Sequence, residues 1–374
     1  MTLPTGPERR LDRRRSGLAD HTNRSWPARA SVPGLELLLT IVRDLPMLPV
    51  ILVAMAVLSV TVDGFMSAGN LQNIARQLSV ILIAVTGETL VLLIGGIDLS
   101  IGATIGLASV CGALTMQFTG SPLLGLLACL ATGAVVGAVN GFGISRGGIQ
   151  PFIMTFGVML TVRALGFLLT GGRSIGRLPQ VLLETGRMTV AGLPFVFILG
   201  LSIAAAGSLI LSRTLFGQRL YLTGSNPRAA AFSGIKVDNL KFQVYLISGT
   251  LAGAAAFAFM MRLGAATPTA GDQLLLQIIG AVVLGGTSLS GGEGGIVRSI
   301  SGAVLVAILI KSLEIMGAQF WDQMIVIGVL TALGSALGAW LSRRRTRESN
   351  REDLAQAIEH MPVEQPDSTA RMRD

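Results

Sequence analysis

The chain has 374 residues, of which 51% are hydrophobic and 13% charged, with a formal net charge of +8 and a mean hydropathy of +0.66. Soluble domains carry roughly 25% charged residues. This chain has too few to clothe a soluble surface, so the bilayer is the solvent that accepts its apolar excess. The positive charge collects at the two ends and in one internal loop, which reads as arginine facing the cytoplasm and not as a nucleic-acid surface.

Residues 1–33 hold Arg9, Arg10, Arg13, Arg14, Arg15, Arg24 and Arg29 but no apolar run of signal-peptide type, and residues 1–44 are set off as the N-terminal tail. They predict a disordered, Arg-rich cytoplasmic tail. About ten apolar segments follow, within residues 45–342: Pro46–Asp63, Gln77–Gly95, Leu99–Phe118, Pro122–Ile144, Pro151–Thr170, Pro194–Ser212, Phe242–Met261, Leu274–Gly286, Ile296–Leu313 and Trp321–Leu341. The eighth is short for a crossing, which takes about 20 residues. All are expected to be helices, because an open strand edge has no partner in lipid. The predicted class is therefore an all-α polytopic membrane protein of about ten spans. Residues 343–374 predict a second disordered cytoplasmic tail.

Orientation follows the basic residues. Arg43, Arg146, the loop from Arg213 to Lys241 and the run Arg343–Arg347 all fall on one side if the span count is even, and that side is cytoplasmic. The loop Gly171–Leu193 falls outside, yet carries Arg173, Arg177 and Arg187. Small residues crowd the fourth segment (Gly133, Gly137, Gly141) and the seventh (Gly249, Ala252, Gly253), as close helix packing in lipid requires.

Two stretches echo one another. Val91–Gly102 and Ala281–Gly292 both read apolar-apolar-Gly-Gly-x-x-Leu-Ser-x-Gly, and both interrupt an apolar segment that then resumes. Glycine-broken segments in two halves suggest broken or re-entrant helices and an internal duplication, with chance matching in a biased composition as the alternative.

No grouping for catalysis is present. A Gly-Lys dipeptide is absent, so no Walker A loop can form. Cys111 and Cys129 sit in apolar runs, and His21 and His360 in the tails, so no metal site assembles from them. The polar residues at membrane depth are Glu88, Asp98, Arg163 and Gln277, with Lys311 and Glu314 as an i, i+3 pair. Such groups face the bundle interior, water or a partner. Glu88 and Arg163 read as a solute-path lining or as structural pairs. Asp98, ahead of a helix restart, suits an N-cap and is kept as a path candidate with Gln277.

The loop after the sixth segment has sharper features. Asn226 before Pro227 makes a helix start, and Gly234 can end that helix. A short helix there, with Phe232 and Ile235 exposed, suits docking into a groove on another protein.

These residues give the chain a resemblance. In order and spacing, Gly95-Gly96-Ile97-Asp98-Leu99-Ser100, Gly224-Ser225-Asn226-Pro227-Arg228-Ala229-Ala230, Ser233-Gly234-Ile235, Pro268-Thr269-Ala270-Gly271 and Ala281 to Gly292 make it similar to the ribose/xylose/arabinose-type permease subunits of bacterial ATP-binding-cassette importers. The likeness runs from about Leu45 to Arg343. It implies a multi-pass inner-membrane protein with both termini cytoplasmic, paired with a second permease copy. It also implies an ATPase subunit holding ATP and Mg, no cofactor on this chain, and a periplasmic or lipid-anchored sugar-binding protein outside. Gly224, Asn226, Arg228, Ala229, Phe232, Ser233 and Gly234 are then the ATPase-coupling segment, and Arg173, Arg177 and Arg187 candidates to meet the binding protein. The implied cargo is a monosaccharide, with a nucleoside, an autoinducer sugar or a branched-chain amino acid as alternatives and ion-coupled transport as the rival mechanism. The chain departs from the family pattern at Leu275, Leu276 and Gln277, where a Glu-Leu-Asp triplet is usual, and at Glu88, where an uncharged residue is usual.

Overall fold

The computed structural model describes residues 45, 47–334 and 336. The two tails expected at residues 1–44 and 343–374, and the last residues of the tenth apolar segment, lie outside them.

Every apolar segment coincides with a helix. In chain order these are α1 (Leu48–Thr61), α2 (Ala68–Leu93), α3 (Ile101–Thr119), α4 (Pro122–Ser145), α5 (Pro151–Thr170), α6 (Gln180–Arg187), α7 (Phe195–Arg213), α8 (Leu215–Ser225), α9 (Pro227–Phe232), α10 (Val237–Leu263), α11 (Asp272–Leu284) and α12 (Ile296–Ile315), then α13 (Phe320–Gly334). Among the described residues, seven helices are long and apolar enough to cross a membrane, and α1, α11 and α13 are shorter apolar helices. Among the described residues, strands are confined to one hairpin, β1 (Thr189–Val190) with β2 (Leu193–Pro194), in the loop between α5 and α7.

Two helix starts and one additional helix depart from the hydropathy reading for physical reasons. Helix α2 starts nine residues before Gln77, because Ser67 caps it by accepting the Asn70 amide and its first turns carry Asn70, Gln72, Asn73 and Arg76, polar residues that hydropathy passes over. Helix α10 likewise opens on the polar turn Val237–Lys241. The loop 171–193 contains α6, whose apolar face buries Leu182, a periodicity too short to register as a span.

Helix α2 is the centre of the bundle, with every residue from Gln77 to Ile94 buried. Helix α4 meets it through α10. Gly125, Cys129, Gly133, Gly137 and Gly141 form a buried stripe at spacing four, the same face of successive helical turns. A side chain on Gly133 would strike the Gly249 carbonyl, and one on Gly249 would strike the Gly133 carbonyl. The two backbones are in direct contact, where dispersion replaces the hydrophobic drive absent in lipid. The opposite face of α4 presents Leu123, Leu127, Val135, Val139 and Phe142 outward.

Candidate functional site: a glycine-broken junction beneath a short exposed helix

The two echoing stretches end their helices in the same way. Gly95 lies at φ +78° and Gly286 at φ +88°. The Gly95 amide donates to the Leu92 carbonyl and the Gly96 amide to Val91 (both 2.9 Å); the Gly286 amide donates to Val283 (2.9 Å) and the Thr287 amide to Val282 (3.2 Å). This is the paired closure of a helix whose next residue turns left-handed. The equivalence is displaced by one residue from the sequence echo, which sets Gly95 opposite Gly285.

The breaks touch each other. The Gly292 amide donates to the Leu93 carbonyl at 2.9 Å. Into this contact comes the end of α8: a side chain on Gly224 would strike the Leu93 carbonyl and crowd the Gly292 amide, and one on Gly291 would crowd Gly95 and the Gly224 carbonyl. Helix α8 is hooked a turn earlier by Tyr221, whose hydroxyl donates to the Gly294 carbonyl at 3.0 Å. Burial pushes the Tyr221 phenol above its usual range, with nearby Arg298 acting the other way, so it remains a donor. A cavity of about 350 Å³ opens at this junction, lined by Gly95, Gly96, Gly224, Ser225, Lys241 and Tyr245.

Helix α9 projects from the junction. Asn226 caps it, its side-chain oxygen accepting the Ala229 amide at 3.0 Å, with Pro227 in the first turn. Gly234 at φ +82° closes it, donating to Ala231 while Ile235 donates to Ala230. Arg228, Ala229, Ser233 and Gly234 are exposed and Phe232 is 94% exposed. Ile235, expected beside Phe232, is instead half-buried against the core that holds Leu220 and Leu240. The coupling candidates thus lie on one continuous segment, with buried Gly224 at its root.

The four path candidates separate. Glu88 and Asp98 are brought together: Glu88 Oε1 accepts the Asp98 amide at 3.2 Å. Asp98 Oδ1 accepts both the Ser100 amide (2.9 Å) and the Ser100 hydroxyl (2.6 Å). Asp98 therefore turns the chain into α3, while the N-cap position itself is Ser100. Asn140 of α4 donates to Ser100 Oγ at 2.7 Å. Thr155 of α5 accepts the Leu99 amide at 3.2 Å. Sequence reasoning passed over Asn140 and Thr155, since one amide and one hydroxyl in apolar helices carry no pattern. Gln277 is buried on α11. Arg163 is apart from these, on the outward side of α5, in an ion pair with Asp272 at 2.9 Å. Lys311 and Glu314 pair at 2.8 Å as their spacing suggested.

At the other end of the bundle, Arg76, Arg187 and Arg262 converge with Asn73 on a cavity of about 330 Å³. Of the three loop arginines named from the sequence, this site takes Arg187; Arg76 comes from the third turn of α2 and Arg262 from the last turn of α10.

A bundle of apolar helices with broken, glycine-rich turns and a capped helix projecting from them defines a multi-pass membrane protein of the transport class. A family model described as the branched-chain amino acid transport system / permease component matches residues 70–340. The chain is 37% identical over 288 residues to the ribose import permease of Escherichia coli strain K12, covering 76% of this chain and 89% of that protein. It is 34% identical over 283 residues to the ribose import permease of Bacillus subtilis strain 168 (75% and 88%), and 31% identical over 288 residues to the fructose import permease of Rhizobium meliloti (75% and 80%). No solved structure matches it. The chain belongs to this permease-component family.

Proposed function

We propose that the chain is the membrane-spanning permease subunit of an ATP-binding-cassette importer that carries a monosaccharide, or a related small polar solute, across the inner membrane by alternating access. The observation that carries this reading is α9: a capped helix with a bare phenylalanine at its tip, rooted by Gly224 at the contact of both breaks. A push on α9 is passed by backbone contact to two helix pairs at once. The names of the relatives supply the cargo class.

On this reading ATP and Mg reside on a separate ATPase subunit, and this chain binds no cofactor. Gly224, Asn226, Arg228, Ala229, Phe232, Ser233 and Gly234 receive the ATPase stroke. The apolar helices make about ten membrane segments, with the short α11 as part of a broken or re-entrant one; both termini are cytoplasmic, and the matched helix closures descend from an internal duplication. A second permease copy completes the path. The path runs past Arg163, with Glu88, Asp98 and Gln277 holding the helices that shape it. A periplasmic or lipid-anchored binding protein delivers the solute, docking through acidic groups at the three-arginine cavity.

The test is reconstitution of the chain in vesicles with its ATPase and binding protein. Phe232→Ala and Arg228→Ala are expected to insert normally and to lose at least ten-fold in ATP-coupled uptake. Uptake by the chain with no nucleotide-hydrolysing companion would overturn the proposal. The family description favours a second cargo, a branched-chain amino acid; uptake of leucine but not ribose by the same vesicles would select it.

A further inference from the structure

Charge is scarce on α5. Its exposed side chains include Phe152, Ile153, Phe156, Leu160, Leu165 and Leu168, and its one charged residue is Arg163. That residue lies about 18 Å along the axis from Pro151 and about 10 Å from Thr170, at 1.5 Å per residue. The Arg163 and Asp272 side chains are 45% and 33% exposed. An ion pair open to hydrocarbon at this depth is expensive, so this side of α5 borders water or protein.

The backbone next to it says the same. Residues 264–271, between α10 and α11, are irregular, and they are held between helices. Gly106 of α3 lies against the Pro268 carbonyl, Gly166 of α5 against the Pro268 ring, and Gly271 against Gly102. Backbone of this kind is tolerated at membrane depth only within protein or along a water-filled path. It carries the Thr267 and Thr269 hydroxyls, 3.1 Å apart, and the Asp272 amide donates to the Thr269 carbonyl at 3.1 Å. The two hydroxyls and the Asp272 carboxylate thus stand on one turn of chain, and the Arg163 guanidinium of α5 meets that carboxylate from across it.

Resting on the permease reading, we propose that Arg163, Asp272, Thr267 and Thr269 form the solute-contacting wall of the path, and that the solute they take is neutral and polyhydroxylated. Arg163 bonds Asp272 through Nη2 alone, and a guanidinium has five N–H donors. Four donors and the second Asp272 oxygen remain for a ligand. The pair cancels its own charge, so a neutral solute with alternating hydroxyl donors and acceptors bridges it without separating it. An amino acid, by contrast, would have to split the pair, setting its carboxylate on Arg163 and its ammonium on Asp272. Glu88, Asp98 and Gln277, at 0%, 2% and 6% exposure, are too deeply enclosed to touch the solute.

Two measurements test this. In the reconstituted complex, Arg163→Gln and Asp272→Asn are each expected to lower D-ribose uptake at least ten-fold while binding-protein-stimulated ATP hydrolysis persists. The exchange Arg163→Asp with Asp272→Arg restores an ion pair but reverses donor and acceptor, so it is expected to stay as impaired. Wild-type uptake in the single variants, or recovery in the exchange, overturns the proposal, the latter marking the pair as a structural tie. Leucine uptake that depends on the pair overturns the polyhydroxylated class. The second measurement needs no transport. Thr269→Cys, in a background with Cys111 and Cys129 replaced by alanine, is expected to react with a charged, membrane-impermeant thiol reagent and to be protected by ribose. Failure to react places the face in lipid or in a closed protein contact and overturns the proposal. If the wild-type complex carries no solute while Thr269→Cys behaves as expected, the permease reading fails and the aqueous wall stands.

Discussion

At the first break, between α2 and α3, side chains fasten the turn. Asp98 holds Ser100 twice, Glu88 holds the Asp98 amide, and Asn140 and Thr155 reach in from α4 and α5. At the second, between α11 and α12, backbone and short hydroxyl side chains share the fastening, with no buried carboxylate or amide side chain among them. Gly291 and Gly292 lie at φ +84° and +75°, and the Ser288 amide donates to the Glu293 carbonyl at 2.9 Å. The side-chain bonds are the hydroxyl contact between Thr287 and Ser299 at 3.0 Å, the Tyr221 hydroxyl to the Gly294 carbonyl at 3.0 Å, the Gly295 amide to Thr287, and an exposed one from the Ser290 amide to Ser288 at 3.2 Å. The two helix closures have the same hydrogen-bond pattern, yet one turn is a buried polar lock and the other a glycine turn near the surface. A buried amide or carboxylate stranded by mutation has no water to fall back on, whereas an exposed one does. The first break therefore suits a fixed element and the second a part that yields.

The comparison breaks most decisively at the point both turns share. Gly224→Val sets a branched side chain against the Leu93 carbonyl and the Gly292 amide, where no flexible neighbour can give way. Overpacking of this kind costs about 3 kcal/mol or occasionally more. The expected result is loss of monodisperse protein on detergent extraction, with no ATP-coupled uptake. A Gly224→Val protein that purifies and couples like the wild type would show that the breaks and α9 are not mechanically joined.

A smaller effect is expected at Glu88. Glu88→Ala removes the acceptor of the buried Asp98 amide and leaves a cavity, for a combined loss of about 2–4 kcal/mol. Glu88→Gln keeps an acceptor oxygen and is expected to lose less than half as much. Thermal unfolding in detergent measures both. Equal losses would mean that the carboxylate's charge, and not its hydrogen bond, matters at the first break.

How much of this was legible in the sequence depended on length scale. Long apolar runs located the helices, and Asn226-Pro227 with Gly234 located α9, because caps and breakers act within one turn of chain. The meeting of Gly224 with Leu93 and Gly292 was not legible, since glycine allows close approach without naming the partner. Asp272 was also missed as the partner of Arg163. The two are 109 residues apart, and periodicity in one helix says nothing of charges on another. The echo showed its pattern but not its register: the left-handed residue is the first glycine at 95 and the second at 286, a backbone choice that the two Gly-Gly pairs leave open.

The finest test sets two positions matched by the sequence echo against each other. Asp98 and Ser288 each accept the amide two residues ahead, so removing either side chain deletes the same local turn. Asp98→Ala strands the buried Ser100 amide and hydroxyl and frees the Asn140 contact from its anchor, at about 2 kcal/mol. Ser288→Ala exposes the Ser290 amide to solvent, which replaces the lost partner, and is expected to stay within about 0.5 kcal/mol of wild type. Unfolding midpoints of the two variants in the same detergent settle the order. If Ser288→Ala is as costly as Asp98→Ala, the second break is locked as firmly as the first, and the assignment of motion to its glycine turn is lost.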